Sequence, residues 1–541
     1  MAVSTQNMTA LRAENVALRS RLGDTEQQLQ ILKTQLDWFK RQLFGERSEK
    51  RLLIDPAIQA DLLAGLVAEV IAPPKPAEKQ KISYERNKPR APGTVNEQGL
   101  RFDETVPVET IHLGPAAELA DIPQDQQSLI SEKISYRLAQ RPGSYVILKY
   151  VRQVIKRADT DELITAPAPA NVLDKSIADV SFLAGLLVDK FVYHLPLYRQ
   201  HQRLQQSGID LSRSTLSNLA SRAIDLLSPI YTAQFEHIRQ SRVLAMDETP
   251  IKAGRKKKGK LRQAYFWPIY GEADEIAFSY SSSRASRQVR EVLGDDFKGT
   301  LISDGYEAYE NYARRHPQMT HAQCWAHTRR YFEKAKEAEP EAAVEALGLI
   351  GEMYAQEQVI RDKKLDGAAK LKHRTQHSEP IVAAFWRWCD SQCQRHDLLP
   401  SNPLTKALKY AMARTDKLRV FLGDPEVPID TNHLERALSP IPMGRRNWLF
   451  CWTEIGAQQV GIIQSLLVTC KLHGINPHTY LVDVLQRISQ HPARQVLELT
   501  PRVWKEHFAD NPLRSDIDSS DRVTRDHVIR DHVTRDRATA A

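Results

Sequence analysis

Residues 300–309, TLISDGYEAY, place an acidic residue at the end of an apolar run. Leu301 and Ile302 indicate a buried strand, and this strand ends at Asp304, which Gly305 follows. Asp-Gly is a common turn sequence, so an ordinary turn is the first interpretation. A carboxylate beside a hydrophobic core costs several kcal/mol unless a positive charge meets it. A bound cation is therefore the second interpretation.

The segments upstream of this stretch indicate an α/β layer. A helix, ASRQVREVLGDDF (285–297), precedes it directly. Enrichment in β-branched and aromatic residues predicts three earlier strands, RVLAMDETPIKA (242–253), LRQAYFWPIYGE (261–272) and EIAFSYSSSR (275–284). Asp247 lies near the end of the first, so two strands of one sheet would each present a carboxylate. Two carboxylates alone repel each other, whereas a divalent cation between them keeps both ionised.

Bulk composition limits the class of protein. A chain of 541 residues is too long for one core, so three or four folded units are expected. The net charge of +8 favours a polyanionic partner such as nucleic acid. No signal-like N-terminus and no stretch near the roughly 18 apolar residues of a membrane span is present. Five cysteines without a regular framework indicate a reducing compartment. We expect a soluble, cytoplasmic protein.

The first 50 residues carry a heptad repeat. Its two series are Leu11, Leu18, Thr25, Leu32, Phe39 and Asn15, Leu22, Leu29, Leu36, Leu43. The repeat predicts a self-associating coiled coil, in which Asn15 at an a position would fix the register. An amphipathic helix packed on its own chain is the alternative. A Pro- and Lys-rich linker (72–93) follows, then a segment of a few strands near 100–165 and the linker TAPAPA (165–170).

Residues 194–227 indicate a helix-turn-helix. The first helix would run from about Leu197 to Gln206, Ser207-Gly208 would turn, and Ser212 or Ser214 would cap the second helix. The candidate base contacts near its start are Arg213, Ser214, Thr215, Ser217 and Asn218. Plain helical hairpins have similar sequences, so that interpretation stays open.

After Asp304 the composition predicts helices for over a hundred residues. A capped short helix then carries Glu435 in PIDTNHLERALSPIPMGRRNWLFC (428–451), ahead of Pro440 and Pro442. A helical end unit follows, and the charge-balanced tail is predicted to be disordered.

With these motifs in view, the chain resembles the transposases of the bacterial insertion-sequence-66 family over nearly all of residues 1–490. The resembling stretches are LKTQLDWFKRQLFGERSEK, KFVYHLPLYRQHQRL, GIDLSRSTL, MDETP, SDGYEAY, HAQCWAHTRRYF, TNHLERAL, GRRNWLF and LLVTCKLHGINPHTYLVDVL. Their order and spacing together are specific, although each alone is weak.

The resemblance implies a multidomain α+β chain with a ribonuclease-H-like α/β catalytic core. A large all-α insertion would interrupt this core, and a coiled coil and a helix-turn-helix would precede it. Asp247, Asp304 and Glu435 would form a DDE site that binds two Mg²⁺ ions, with Mn²⁺ as a substitute. Asp247 would bridge both ions, Asp304 would hold one and Glu435 the other. The activity implied is binding of the terminal inverted repeats, metal-dependent strand cleavage and strand transfer.

Three further residues match the family pattern near this site. Cys324 and His327 match a Cys-x-x-His element, with His327 expected to position the second-Asp region by a hydrogen bond. Asn432 follows Thr431 where the family often has two Asn residues. A zinc site built from Cys324, His327, Cys389 and Cys393 is the competing, less favoured interpretation. The family's zinc-finger-like segment lacks its cysteines here, since residues 72–200 contain none.

Basic residues near the acids suggest phosphate contacts. They lie in KAGRKKKGKLR (252–262), expected to be a hairpin loop, and beside Glu435; the candidates are Lys252, Arg255, Lys256, Arg436, Arg445 and Arg446. A merely solvated loop is the alternative for the Lys run. The expected partners are transposon ends, target DNA, a second copy of the chain and accessory proteins of the same element.

Two other functional classes were weighed. A catalytically silent, transposase-derived DNA-binding protein would have lost an acid, whereas all three are present here. A glycoside hydrolase also uses paired carboxylates, but the basic balance and the helix-turn-helix argue against it. The expected domains are 1–50 (coiled coil), 51–95 (helix and linker), 96–170 (mixed segment), 171–235 (helix-turn-helix), 236–330 (core), 331–425 (insertion), 426–455 (Glu-bearing part), 456–510 (helical unit) and 511–541 (disordered tail).

Overall fold

A computed structural model gives the architecture of most of the chain. It describes residues 100–102, 106–113, 127–141, 143–158, 163–257, 260–445, 447, 453–518 and 523–524. The predicted coiled coil (1–50) and the segment 51–95 lie outside the described residues. Among the helices that are described, none has the length and apolar character needed to cross a membrane.

Thirteen strands are described. They are β1 (Arg101–Phe102), β2 (Val108–Leu113), β3 (Gln127–Arg141), β4 (Ser144–Arg157), β5 (Leu163–Thr165), β6 (Ile209–Asp210), β7 (Val243–Met246), β8 (Thr249–Lys257), β9 (Lys260–Tyr270), β10 (Ile276–Ser281), β11 (Thr300–Ser303), β12 (Thr320–Gln323) and β13 (Val523–Thr524).

The helices of the described chain fall into three groups. The first group is α1 (Val180–Phe191), α2 (Leu197–Gln206), α3 (Arg213–Arg239), α4 (Arg287–Leu293) and α5 (Glu307–Arg315). The second is α6 (Trp325–Ala335), α7 (Pro340–Asp362), α8 (Gly367–His373), α9 (Glu379–Cys393), α10 (Pro403–Met412) and α11 (Thr415–Gly423). The third is α12 (Asn432–Leu438), α13 (Pro440–Gly444), α14 (Glu454–Leu472), α15 (Pro477–Arg487) and α16 (Pro501–His507).

The segment before the first helices contributes four strands to a five-stranded sheet of order β13-β2-β4-β3, with β5 also paired to β4, and the fifth strand, β13, comes from the tail. Long strands β3 and β4 form an antiparallel hairpin, whereas β2 runs parallel to β4. Leu138 and Ile147 on this sheet are fully buried and share a core with Phe182 and Leu183 of α1. The sheet therefore packs against α1, and the strands expected near 100–165 are present.

Helices α2 and α3 occupy the region predicted to be a helix-turn-helix. Helix α2 has the predicted bounds, and Ser212 caps α3 by accepting a hydrogen bond from the backbone N–H of Thr215 at 3.0 Å. The tight turn expected at Ser207-Gly208 is present, and a short strand that was not expected, β6, follows it and pairs with β1. Gly208 in this connection has φ of 78°, which favours glycine.

A six-stranded sheet lies at the centre of the chain. Its order is β10-β9-β7-β11-β12, with β8 paired to β9. Strands β7, β11 and β12 are mutually parallel, and β9 is antiparallel to both β7 and β10. All residues of β7 and β11 are buried, as expected of central parallel strands. The carboxyl ends of these two strands therefore lie side by side.

Three sequence predictions about this sheet were wrong in detail. The chain is not wholly helical after Asp304, because β12 adds a parallel strand; THAQ lacks an apolar β-branched run, so only pairing with β11 reveals it. The strand predicted at 242–253 is two strands, and Asp247 lies between them. The basic run 252–262 is not a loop, since most of it belongs to the paired strands β8 and β9.

The helical insertion has an aromatic core that includes Trp325, Phe332 and Phe385. Arg374, in a π-helical turn at Arg374–Ser378, is completely buried and pairs with Glu357. Its Nη1 also donates to the carbonyl of Val427 at 3.1 Å. This buried charge is neutralised and fully hydrogen-bonded, so it fixes the chain that leads towards α12.

Part of the tail is ordered, contrary to the prediction for 511–541. Tyr150 donates a hydrogen bond to Asp516 Oδ2 at 2.7 Å, and Ser515 donates one to Asp179 Oδ1 at 2.5 Å. Ile517 is buried, and β13 pairs with β2. The N-terminal sheet supplies partners that the charged tail sequence does not reveal.

Candidate active site

The two predicted aspartates follow neighbouring parallel strands. Asp247 comes directly after β7 and Asp304 directly after β11. The pairing of Thr300 with Val243 continues to Ile302 with Ala245, so the same register sets Asp304 opposite Asp247. Neighbouring strands are about 4.7–4.9 Å apart, and residues in register lie on one face of the sheet. The fold therefore brings the two carboxylates together.

The environment of Asp247 is electrostatically unfavourable for a free carboxylate. Burial, with the charges of Glu248, Asp304 and Glu435, raises the pKa of Asp247 to about 7. A hydrogen bond from the backbone N–H of Glu248 to Asp247 Oδ1, 2.8 Å long, opposes this rise. The effect of Asp304 and Glu435 on this pKa places both of these acids within electrostatic reach of Asp247.

The turn interpretation of Asp304 also holds. Its Oδ1 accepts a hydrogen bond from the backbone N–H of Tyr306 at 2.8 Å, as in an Asx turn. Gly305 is needed here for space, because a Cβ would lie 2.6 Å from the hydroxyl of Tyr410 and 2.8 Å from Nη2 of Arg414. The turn and the candidate site are thus one feature, in which a tight turn orients the carboxylate.

Glu435 lies in the first turn of α12, with its side chain 28% exposed. Arg330 Nη2 donates to both carboxylate oxygens, at 2.7 and 2.5 Å. His327 Nε2 is 3.8 Å from Oε1 and 3.2 Å from Arg330 Nη1. In this arrangement Glu435 is engaged by a guanidinium on α6.

The start of α12 is attached to the strand ends. Asp430 Oδ1 accepts from the backbone N–H of Asn432 at 2.9 Å. Thr431 donates from its backbone N–H and its hydroxyl to Cys324 Sγ, both at 3.3 Å. The backbone N–H of Cys324 in turn donates to the carbonyl of Ser303, next to Asp304. Cys324 therefore links the ends of β11 and β12 to the helix that carries Glu435.

The side chain of His327 lies beside Glu435 and Arg330, and its Nδ1 is buried without a hydrogen-bond partner. Its contacts in the described chain are therefore with the Glu435 side of the site, and a role in positioning the second-Asp region stays a prediction. Burial lowers the pKa of His327, and the nearby charges of Asp304 and Glu435 oppose this. Among the described residues, no three His, Cys, Asp or Glu side chains converge as metal ligands do, and this holds for the three acids as well as for the cysteine and histidine set.

Sequence reasoning overlooked a buried acid beside Asp247. The side chain of Glu248 is only 4% exposed. Arg284 Nε donates to its Oε1 at 3.0 Å, and Tyr309 donates to its Oε2 at 2.9 Å. Arg284 also lies over the ring of Tyr306, 4.1 Å from the centroid. These contacts tie the loop after β7 to the loop after β11, and the adjacent acids of MDETP were the only local signal of this arrangement.

The predicted DNA contacts are distributed over two surfaces. At the start of α3, Arg213, Ser214, Ser217 and Asn218 are exposed and Thr215 is half-buried. Near the acids, Lys252 and Arg255 are exposed on β8, Lys256 also lies on β8, Arg436 is exposed, and Arg445 donates to the carbonyl of Pro250 at 2.6 Å. Arg446 lies outside the described residues.

The chemistry of the acids fits a hard divalent cation. Carboxylate oxygens are the ligands that Mg²⁺ prefers, and the pKa of Asp247 is raised mainly by burial and further by the charges of the neighbouring acids. Asp247 and Asp304 are adjacent, whereas Glu435 faces Arg330 instead. Of the three expected ligands, the two aspartates therefore lie side by side, and Glu435 is paired with an arginine.

Comparison with known proteins agrees with this picture. The model of the Transposase IS66 family matches residues 175–459, more than half of the chain, and the IS66 C-terminal element matches residues 465–502. Uncharacterized protein y4hP of Sinorhizobium fredii (strain NBRC 101917 / NGR234) is 28% identical over 507 residues, which cover 88% of this chain and 89% of the relative. Uncharacterized protein y4jD of the same strain is 28% identical over 492 residues, covering 88% and 94%. The chain belongs to the IS66 family of transposases.

Proposed function

We propose that this transposase is a DDE enzyme that cleaves DNA at the ends of its insertion sequence and transfers the freed strands to a target. The acidic residues are Asp247, Asp304 and Glu435. The observation that carries this proposal is the in-register placement of two aspartates after adjacent parallel strands, with Glu435 within electrostatic reach. In open α/β sheets, ligands bind outside the carboxyl ends of the strands, which is where these residues lie.

The strand arrangement supports a ribonuclease-H-like core. Across the sheet, the antiparallel strands β10 and β9 lie beside three parallel strands, β7, β11 and β12, and the first acid directly follows β7, the central strand of these five. Helix α6 and then helices α7 to α11 lie between β12 and the helix that bears Glu435. This order agrees with the core and insertion that the family resemblance implies.

Two divalent cations held by the three acids would activate the attacking oxygen and stabilise the leaving oxygen of a phosphodiester. The protein's own residues prepare this site. Ser303 and Cys324 join the strand ends, and the Asx turn at Asp304 orients its carboxylate. Glu248, held by Arg284, fixes the loop that carries Asp247. The neutral fraction of a carboxyl whose pKa is about 7 would lose its proton when a cation binds.

DNA would contact both basic surfaces. The exposed residues at the start of α3 are placed to reach base edges, and the basic hairpin of β8 and β9 is placed to contact phosphates. Self-association through the heptads of 1–50, and docking of accessory proteins, complete the proposal and rest on the sequence alone.

A supercoiled plasmid that carries both ends of the element tests this proposal. We expect Mg²⁺-dependent nicking at the ends, lost at least 100-fold in Asp247→Asn because the mutation removes a ligand from the reaction centre. The control is Asp296→Asn, an exposed aspartate after α4, which should cleave normally. Binding of the ends without cleavage by the wild-type protein would favour the catalytically silent alternative.

A further inference from the structure

Arg330 is paired with the carboxylate of Glu435, which the proposed function assigns to metal binding. It lies on α6, and its side chain is half exposed, while Glu435 lies 105 positions later on α12. One nitrogen, Nη2, donates to both oxygens of Glu435, and Nη1 donates to His327 Nε2. Arg330 lies in the stretch HAQCWAHTRRYF, but its pairing with Glu435 joins two distant segments and has no signature in the sequence.

The pairing conflicts with a closed metal site. A carboxylate that accepts two charge-assisted hydrogen bonds from one guanidinium has its lone pairs directed at that group. In the described residues no three acidic, His or Cys side chains are grouped as metal ligands, even though Asp247 and Asp304 are adjacent. Glu435 must leave Arg330 before it can complete the set.

We propose that Arg330 exchanges Glu435 for a DNA phosphate when Glu435 turns to a metal ion. The inference rests on the proposed function, since it takes the three acids as the metal ligands. A guanidinium presents planar N–H donors that match phosphate as well as carboxylate, so one side chain serves both partners. Arg330 is thus a positioning residue for the metal-free state and a phosphate contact in the loaded one.

The exchange needs little driving force. Ion pairs that are half exposed to water contribute only about 0–1 kcal/mol, because solvent screens them. Releasing Glu435 therefore weakens metal binding by about two- to fivefold at most. The positive charge of Arg330 pairs with the Glu435 carboxylate before the exchange and with a DNA phosphate after it. Binding of metal and binding of DNA then favour each other, as reciprocal linkage requires.

The neighbouring residue supplies a matched control. Arg329 precedes Arg330 on the same helix and is exposed, but its guanidinium pairs with Glu333 at 2.9 Å instead of with Glu435. Replacing either arginine by alanine removes one positive charge from almost the same place. A difference between the two variants therefore reports the pairing with Glu435 and not net charge.

The first half of the exchange is tested by titrating the full-length protein with Mn²⁺. Binding is measured as the decrease of the electron paramagnetic resonance signal of free Mn²⁺. Without DNA, we expect Arg330→Ala to bind Mn²⁺ about two- to fivefold more tightly than the wild type, and Arg329→Ala to match the wild type to within error. Equal affinities in the wild type and both variants, or weaker binding in Arg330→Ala, would overturn the proposal.

Affinity for a duplex of the element's terminal sequence tests the second half. Without a divalent ion, Arg330→Ala should bind the duplex as tightly as the wild type does. In the wild type Arg330 is then paired with Glu435 and makes no contact with a phosphate, so its removal costs no DNA affinity. With Mn²⁺ it should bind several-fold more weakly and with a shallower salt dependence, since one phosphate contact is lost. An equal loss with and without Mn²⁺ would show a plain phosphate contact and contradict the exchange.

These results separate the inference from the function on which it rests. Wild-type protein that binds no Mn²⁺ and cuts no plasmid would refute both. Wild-type protein that binds Mn²⁺ and cleaves, with Arg330→Ala unchanged in Mn²⁺ affinity, would refute the exchange alone.

Discussion

The carboxyl group of Asp247, buried near other carboxylates, lowers the stability of the metal-free protein. The unfolded-state pKa of an aspartate is near 3.8, and the folded environment of Asp247 raises it to about 7. Between these values the folded state holds more protons than the unfolded state, so the metal-free protein loses stability as the pH rises from about 4 to about 7. Above about pH 7 the loss of folding free energy caused by Asp247 stays constant, and below about pH 4 it disappears.

Replacing Asp247 by Asn should therefore stabilise the metal-free protein while it abolishes cleavage. A shift of this size corresponds to roughly 2–4 kcal/mol of folding free energy at pH 8. Urea unfolding in the presence of a chelator, at pH 5 and pH 8, measures it. The gain of Asp247→Asn over the wild type should be larger at pH 8 than at pH 5. An equal difference at both values would mean that Asp247 is not the source of the penalty.

At this scale, sequence reasoning finds what local patterns encode. Asp247 and Asp304 attract notice because each follows an apolar strand, and Glu435 was added by the family resemblance. Arg330 and Arg284 escape notice because their acidic partners lie 105 and 36 positions away in the chain. An exposed arginine in a helix has no sequence signature of its partner, so only the folded chain reveals these pairs.

At the level of elements, close packing makes some residues irreplaceable. Helix α14 crosses β10 at Gly461, where a Cβ would lie 2.6 Å from the carbonyl oxygen of Phe278 and 3.3 Å from Cε1 of Phe266. One turn later, Ser465 accepts a hydrogen bond from the backbone N–H of Phe278 at 2.9 Å. The helix and the strand therefore approach at backbone distance, and a methyl group would push them apart.

Gly461→Ala should lower the free energy of unfolding by about 1–3 kcal/mol, because the overpacked contact involves backbone atoms that cannot move aside. Gly348→Ala is the matched control: it lies exposed in helix α7, and nothing is within 4 Å of its added Cβ. There the better helix propensity of alanine should add up to about 1 kcal/mol. Thermal unfolding midpoints compare them, and a shared direction of change would contradict the packing argument.

Elements with a strong periodic signal were predicted well, and those defined by a neighbour were not. Helix α2 has its predicted bounds, and the strands at 261–270 and 276–281 were expected. Strand β12 was missed because its four residues become a strand through pairing with β11. The run of lysines in the basic segment after Asp247 predicts a loop because lysine is disfavoured in strands, yet the hairpin pairing of β8 with β9 overrides that preference.

Across the whole molecule, contacts between distant parts of the chain attach the tail to the N-terminal sheet. The tail returns to the N-terminal sheet, where Asp516 accepts from Tyr150 across 366 positions. Asp179, which caps α1, accepts from Ser515 as well as from Ser181. Composition cannot predict such a return, since the tail is charged and repetitive, and its few contact residues are recognised only by their partners.

Shortening the tail tests whether this return stabilises the protein. A chain that ends after Asn511 would uncover Ile517's buried site and leave Tyr150 and Asp179 without their partners in the tail. Loss of one buried isoleucine and two hydrogen bonds should cost roughly 2–4 kcal/mol, seen as a lower unfolding midpoint.

A chain that ends after Thr524 keeps these contacts and β13, so its midpoint should equal that of the full-length protein. Tyr150→Phe, which removes only the hydroxyl, should fall between the two shortened chains. If both shortened chains unfold at the same midpoint as the full-length protein, the docked segment contributes nothing to folding, and the tail acts as the idle extension that its composition suggests.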